Sequence, residues 1–163
     1  MSRPILNIPL KPVDWIIEGI TLSIVIGIVV YTAIHYSTLP DTIPTHYGFS
    51  GKADGYGGKS TLLVLLGVLM AMYLLLLVAS RIPHKFNYVT AITESNAPRQ
   101  YSIALQMMRI VKLIVVIIFS YIILTTIQIA QGKVMSLGTW FIPTVLFFLF
   151  ATIIAYAVKS SIK

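Results

Sequence analysis

Four long apolar runs, separated by polar segments of unequal length, organise this chain. The first covers 15–36 with one charge, Glu18, near its start. The second covers 61–80 with none, and the third, about 107–130, confines Arg109 and Lys112 to its first turns. The fourth covers about 138–158 without charge. Crossing a bilayer takes roughly 20 residues of helix at about 1.5 Å rise each. The runs lack the alternation of barrel strands, and lone strands would leave backbone groups unpaired in lipid. The pattern therefore predicts one domain over 1–163, an all-α membrane protein of four transmembrane helices. An ordered loop over 37–60 joins helices 1 and 2, and a second loop over 81–106 joins helices 2 and 3.

The flanks refine this outline. Pro4, Pro9 and Pro12 break up residues 1–14, which are expected to lie along the interface, with Trp15 at the aromatic belt. The first run exceeds a usual signal-peptide core and no small-x-small site follows it, so it is read as retained. Ser23 and Gly27 form a small-xxx-small pair suited to close helix contact. Asn96 reads as an N-cap with Pro98 in the first turn, predicting a third helix that starts at Ala97 and exceeds 30 residues. Arg109 and Lys112 stand three apart on one face, where both can snorkel. Glu18 is expected to snorkel or to pair with one of them, rather than to relay protons from so shallow a position. Pro143 predicts a mild kink in the fourth helix.

Composition agrees with the membrane reading. Of 163 residues 57% are hydrophobic and only 10% charged, against about 25% charged in soluble domains. The net charge of +7 raises the question of nucleic acid, but its distribution answers otherwise. Arg3, Lys11, Arg81, Lys85, Arg99, Arg109, Lys112, Lys159 and Lys163 fall on one side of the predicted topology, and Lys52, Lys59 and Lys133 on the other. The positive-inside rule then places both termini in the cytoplasm and the 37–60 loop outside, with lipid rather than nucleic acid as the basic residues' partner. The chain has no cysteine, which excludes disulfides, thiolate metal sites and a cysteine nucleophile.

Candidate chemistry concentrates in the 37–60 loop. Gly57-Gly58-Lys59-Ser60-Thr61 resembles the end of a phosphate loop, but Ala53 occupies the required first glycine and a membrane helix, not a strand-supported one, follows. Gly57 and Gly58 are read as a turn. His46, Asp41, Asp54 and the nearby His35 have the donor types of a zinc-like site. Their spacing matches no ligand pattern, so His46 and Asp54 are only weak metal candidates. The preferred reading has His46 bonding the loop backbone and Asp54-Gly55 making a turn. Proton sensing at His46 is a further reading. No serine-nucleophile motif is present, and Thr125, Thr126 and Gln128 are read as interhelical hydrogen-bonding groups.

At this loop the chain resembles a known family. Leu39-Pro40, Ile43-Pro44-Thr45-His46-Tyr47, Gly51, Asp54-Gly55-Tyr56-Gly57 and Lys59 are similar to a bacterial membrane domain of unknown function, found also at the N-terminus of SdpI-type immunity proteins. Pro83-His84-Lys85-Phe86-Asn87-Tyr88, Ile92-Thr93, Asn96-Ala97 and Gln100-Tyr101 resemble its short stand-alone members. The resemblance implies motif residues Pro40, Pro44, His46, Gly51, Asp54 and Lys59 with a structural or binding role and no catalytic one. It also implies a bacterial inner-membrane location. The expected function is thus non-enzymatic and cofactor-free: peptide-toxin immunity or envelope sensing through the outer loop, with an extracellular peptide or a membrane or cytoplasmic protein as partner. SdpI-type proteins carry a further multi-span region absent here. The alternative is a transport accessory, or a small-molecule- or metal-ion-binding membrane protein, using Glu18, His46 or Asp54.

Overall fold

Each apolar run forms a helix in the computed structural model, which describes residues 3–162. These are α1 (Pro12–Tyr36), α2 (Ser60–Ala79), α3 (Ala97–Ala130) and α4 (Phe141–Ser161). Among the described residues all four are long and apolar enough to cross a membrane. Between α1 and α2 the chain forms two antiparallel strands, β1 (Thr42–Tyr47) and β2 (Ala53–Gly58). The 37–60 loop is therefore a β-hairpin, and the all-α expectation is corrected at this point. A single 3-10 turn, Pro83–Lys85, follows α2.

α3 is the axis of the molecule: α1, α2, α4 and β1 all pack on it. Its buried residues include Tyr101, Ala104, Val116, Ile123 and Ile127, the last three joined in one core with Val25, Ile28, Leu39, Ile43, Leu62 and Leu69. At 34 residues and about 1.5 Å per residue it is about 50 Å long, well beyond the roughly 30 Å of a hydrocarbon core. The excess lies at its polar N-terminal end, as its sequence predicts. α4 leans on α3 and exposes most of its apolar surface, including Phe147, Phe150, Ile153 and Ile154. In lipid that exposure is expected of an outer helix and needs no partner.

Helix ends differ from expectation in instructive ways. Asn96 does occupy the position before α3, but its side chain does not cap it. Instead Asn96 Oδ1 accepts the Thr93 N–H at 2.9 Å and Nδ2 donates to the Ala91 carbonyl at 2.9 Å, ordering the preceding turn. α4 starts three residues later than predicted because Gly138, at φ +89°, turns the chain before Phe141. Pro143 then falls in the first helical turn, where an N–H has no intrahelical partner to lose, so the predicted kink has no cause. The Ser23–Gly27 face is open: a Cβ built on Gly27 would meet nothing within 4 Å.

The motif residues of the 81–106 loop fasten the end of the bundle remote from the hairpin. Gln100 Nε2 donates to the Ser160 carbonyl at 3.0 Å while Ser160 Oγ donates to Gln100 Oε1 at 2.7 Å, tying α4 to α3. The fully buried Tyr101 donates to the Pro4 carbonyl at 3.0 Å. Tyr88 donates to the Pro83 carbonyl at 2.8 Å and lies against Tyr101.

Candidate functional site

The hairpin is held over the end of the helices by several separate attachments. On its inner face Ile43 is 1% exposed and packs into the core beside Leu39 and Leu62. The Tyr47 hydroxyl shares a 2.7 Å hydrogen bond with Thr126 Oγ1 of α3. At the tip, the Leu137 N–H donates to the Gly51 carbonyl at 2.8 Å, and Lys52 pairs with Ser136 as an isolated bridge. At the base, the Lys59 N–H donates to the Asp41 carbonyl at 2.9 Å. Lys59 Nζ reaches the Asp41 carboxylate at 3.3 Å and the Leu39 carbonyl at 3.3 Å, and lies over the Tyr36 ring.

These contacts give each motif residue a structural account. Pro44 is buried within β1, opposite Tyr56, where a kink in register beside His46 relieves it of a regular ladder position. Pro40 is exposed and stiffens the approach to β1. Gly51 has φ +73°, and a Cβ there would sit 2.6 Å from the Gly138 carbonyl oxygen, so both conformation and space exclude a side chain. At Gly55 a Cβ would meet that of His46 at 2.9 Å.

His46 and Asp54 do meet, but not as predicted. They project from neighbouring strands and pair directly, His46 Nδ1 to Asp54 Oδ1 at 2.5 Å, with side chains 73% and 52% exposed. The backbone bonding foreseen for His46 and the turns foreseen at Asp54-Gly55 and Gly57-Gly58 are thereby corrected. All four of the latter residues lie in β2. Asp41 is engaged by Lys59, and His35 bonds the Tyr31 carbonyl through Nδ1 at 2.8 Å, so the four donors do not converge. Among the described residues no three His, Asp or Glu side chains are grouped as metal ligands. With Nδ1 paired to Asp54, the His46 Nε2 has no hydrogen bond among the described residues, and the ring's orientation is fixed by its partner. A cleft of about 240 Å³ lies beneath, lined by Pro44, His46, Tyr47, Thr61, Leu65 and Thr126 among others. Burial pushes the Tyr47 phenol above its ordinary value, opposed by the Thr126 hydrogen bond and reinforced by Tyr56.

A second polar cluster lies near the other end. Lys112, 1% exposed, donates to both oxygens of Glu18. Arg109 reaches Asp14 at 3.0 Å and Glu18 at 3.8 Å. Arg109 and Lys112 do not snorkel: both turn inward, because α1 offers them carboxylates, and Glu18 pairs with them as one reading of the sequence has it. Sequence reading named Glu18 and both cations but missed Asp14. The signal was available, since acids four apart on α1 match bases three apart on α3, one face each. Asp14 also accepts the Lys11 N–H at 2.9 Å, helping to start α1. Two acids and two bases cancel, which is how buried charge is tolerated in an apolar setting.

The comparisons with known proteins centre on the hairpin. Residues 23–71 match a family described as a domain of unknown function, DUF1648. The match begins partway along α1 and ends partway along α2, so it takes in both strands and the motif residues Pro40, Pro44, His46, Gly51, Asp54 and Lys59, but none of those in the 81–106 loop. An uncharacterized protein of Archaeoglobus fulgidus is 35% identical over 52 residues, 32% of this chain and 28% of that protein. The chain thus spans less than a third of that relative's length. No solved structure matches.

Proposed function

We propose that this chain is a non-enzymatic membrane protein of a bacterial inner membrane that recognises an extracytoplasmic peptide or envelope component through the hairpin. In this reading both termini are cytoplasmic and the hairpin faces out. The observation that carries it is the division of the hairpin into two faces. One is bound to α3 through Ile43 and Tyr47. The other presents the His46–Asp54 pair and Tyr56, 64% exposed, while Phe49, 91% exposed, stands at the tip between the strands. A small polar pair with bare aromatics nearby suits a peptide surface, where aromatic anchors carry much of the binding. The nine-to-three distribution of basic residues supports the orientation. The resemblance to SdpI-type immunity proteins supports a protective role.

Cells with and without the gene, challenged with a panel of envelope-active peptides, are expected to differ in survival for at least one peptide, with protection lost in a Phe49→Ser, Tyr56→Ser variant. Equal survival across a broad panel sinks the immunity version. Orientation is tested separately, since the chain has no cysteine. A Lys52→Cys variant should react with an impermeant maleimide in intact cells and an Arg99→Cys variant only after lysis; the reverse pattern inverts the topology.

A further inference from the structure

Residues 3–11 form no regular element, yet they are fastened at both ends. Arg3 donates to the His84 and Phe86 carbonyls and lies over the Tyr88 ring, and Pro4 accepts from Tyr101. The Tyr88 phenol is raised, by burial first and then by Tyr101 and Tyr156, with Arg3 opposing. At the other end the strap runs into α1 at Pro12. Between these points it passes over a cavity of about 560 Å³ at the end of the bundle remote from the hairpin. Leu6, Ile8, Leu10, Trp15, Leu77 and Leu105 give it apolar walls. Its polar lining is Asn7, Glu18, Ser80, Arg81 and Arg109.

The charges of that lining do not balance. Glu18 is taken by Lys112, and Asp14 with Arg109 completes a neutral set of four. Arg81 is left over, and it has no ion pair among the described residues. Arg109 is itself incompletely used. It is 7% exposed, and its contacts with Asp14 and Glu18 are ion pairs without hydrogen-bond alignment, so that Asp14 Oδ1 is buried with no hydrogen bond. A guanidinium carries five N–H donors, and a buried one that lacks aligned acceptors favours a further oxyanion.

We infer that the strapped cavity binds a phosphate group through Arg81 and Arg109, with an attached acyl chain lying against Leu77 and Leu105. The chemistry is that of an anionic phosphodiester headgroup or of free phosphate, and the apolar walls favour the lipid. The site lies at the opposite end from the hairpin and stands independently of what the hairpin recognises.

The test uses the full chain in detergent with Trp140→Phe, which leaves Trp15 in the cavity wall as the one tryptophan. Dioctanoyl phosphatidylglycerol should shift Trp15 fluorescence saturably, and dioctanoylglycerol, which lacks the phosphate, should not. Arg81→Gln and Asn7→Asp change exposed side chains and leave the fold intact. Each should weaken the phosphatidylglycerol response at least tenfold. Removing Asp14 and Arg109 together, as Asp14→Asn with Arg109→Gln, should weaken it similarly without stranding a buried charge. Competition by inorganic phosphate identifies the free ion as a ligand, and its failure identifies the headgroup; both support the site. An equal response to dioctanoylglycerol, or unchanged affinity in Arg81→Gln, overturns it.

Discussion

Lys112 and Glu18 form a two-pronged ion pair across α1 and α3, with Nζ 2.8 and 2.6 Å from the two carboxylate oxygens and the lysine almost wholly buried. Breaking one partner leaves the other charged in an apolar setting, which costs about 3–5 kcal/mol, whereas replacing both is close to neutral. Lys112→Met is therefore expected to lower thermal stability in detergent sharply. Adding Glu18→Leu should restore most of it. A double variant no more stable than the single one refutes the coupling.

The His46–Asp54 pair is exposed on the hairpin, where such pairs contribute under about 1 kcal/mol. Substituting either residue by alanine should leave insertion and global unfolding unchanged while raising the rate of proteolysis within the hairpin. An unchanged cleavage rate in both variants shows that the pair does not order the strands.

Gly51 and Gly132 separate two effects. Both have positive φ, +73° and +72°, but only Gly51 lies against another backbone. Gly132→Ala should cost conformational strain alone, about 1–2 kcal/mol. Gly51→Ala adds the overlap with Gly138 and should undock the hairpin tip. A disulfide between Lys52→Cys and Ser136→Cys reads this out: it should form readily in the Gly132→Ala background and poorly with Gly51→Ala. Equal crosslinking in the two backgrounds contradicts the clash.

Tyr47 predicts a pH dependence. Its phenol is raised above 10.0 in the folded protein, so the folded state holds that proton more tightly than the unfolded one. The stabilisation is complete below pH 10.0 and is lost as the pH climbs through the raised value. The stability gap between the parent chain and Tyr47→Phe, followed by thermal unfolding, should therefore narrow in strong alkali. A gap that stays constant or widens above that pH contradicts the assignment.

The helices were legible because length and apolarity alone decide which segments can span a bilayer. The hairpin was not. β2 reads Ala-Asp-Gly-Tyr-Gly-Gly and β1 contains Pro44, composition that argues against strands. They pair because β1 is already docked on α3 through Ile43 and Tyr47, a contact between residues 79 apart in sequence at Tyr47–Thr126 that no local window reports. Which of the motif residues touch was hidden for the same reason. Asp14 escaped notice because it precedes the apolar run, where a lone acid looks solvated. Only the facing of α1 and α3 reveals Arg109 opposite it.

The family match stops at residue 71, but the hairpin's floor does not. Thr126, Ser136, Leu137 and Gly138, which grip its inner face and tip, all lie far downstream of that boundary. The stretch that similarity marks out and the stretch that can hold its own shape are therefore different objects. Cut from this chain at its matched limits, the hairpin would keep its sequence signature and lose its mould. Grafting it into another membrane protein would require transplanting the upper half of α3 and the turn that follows.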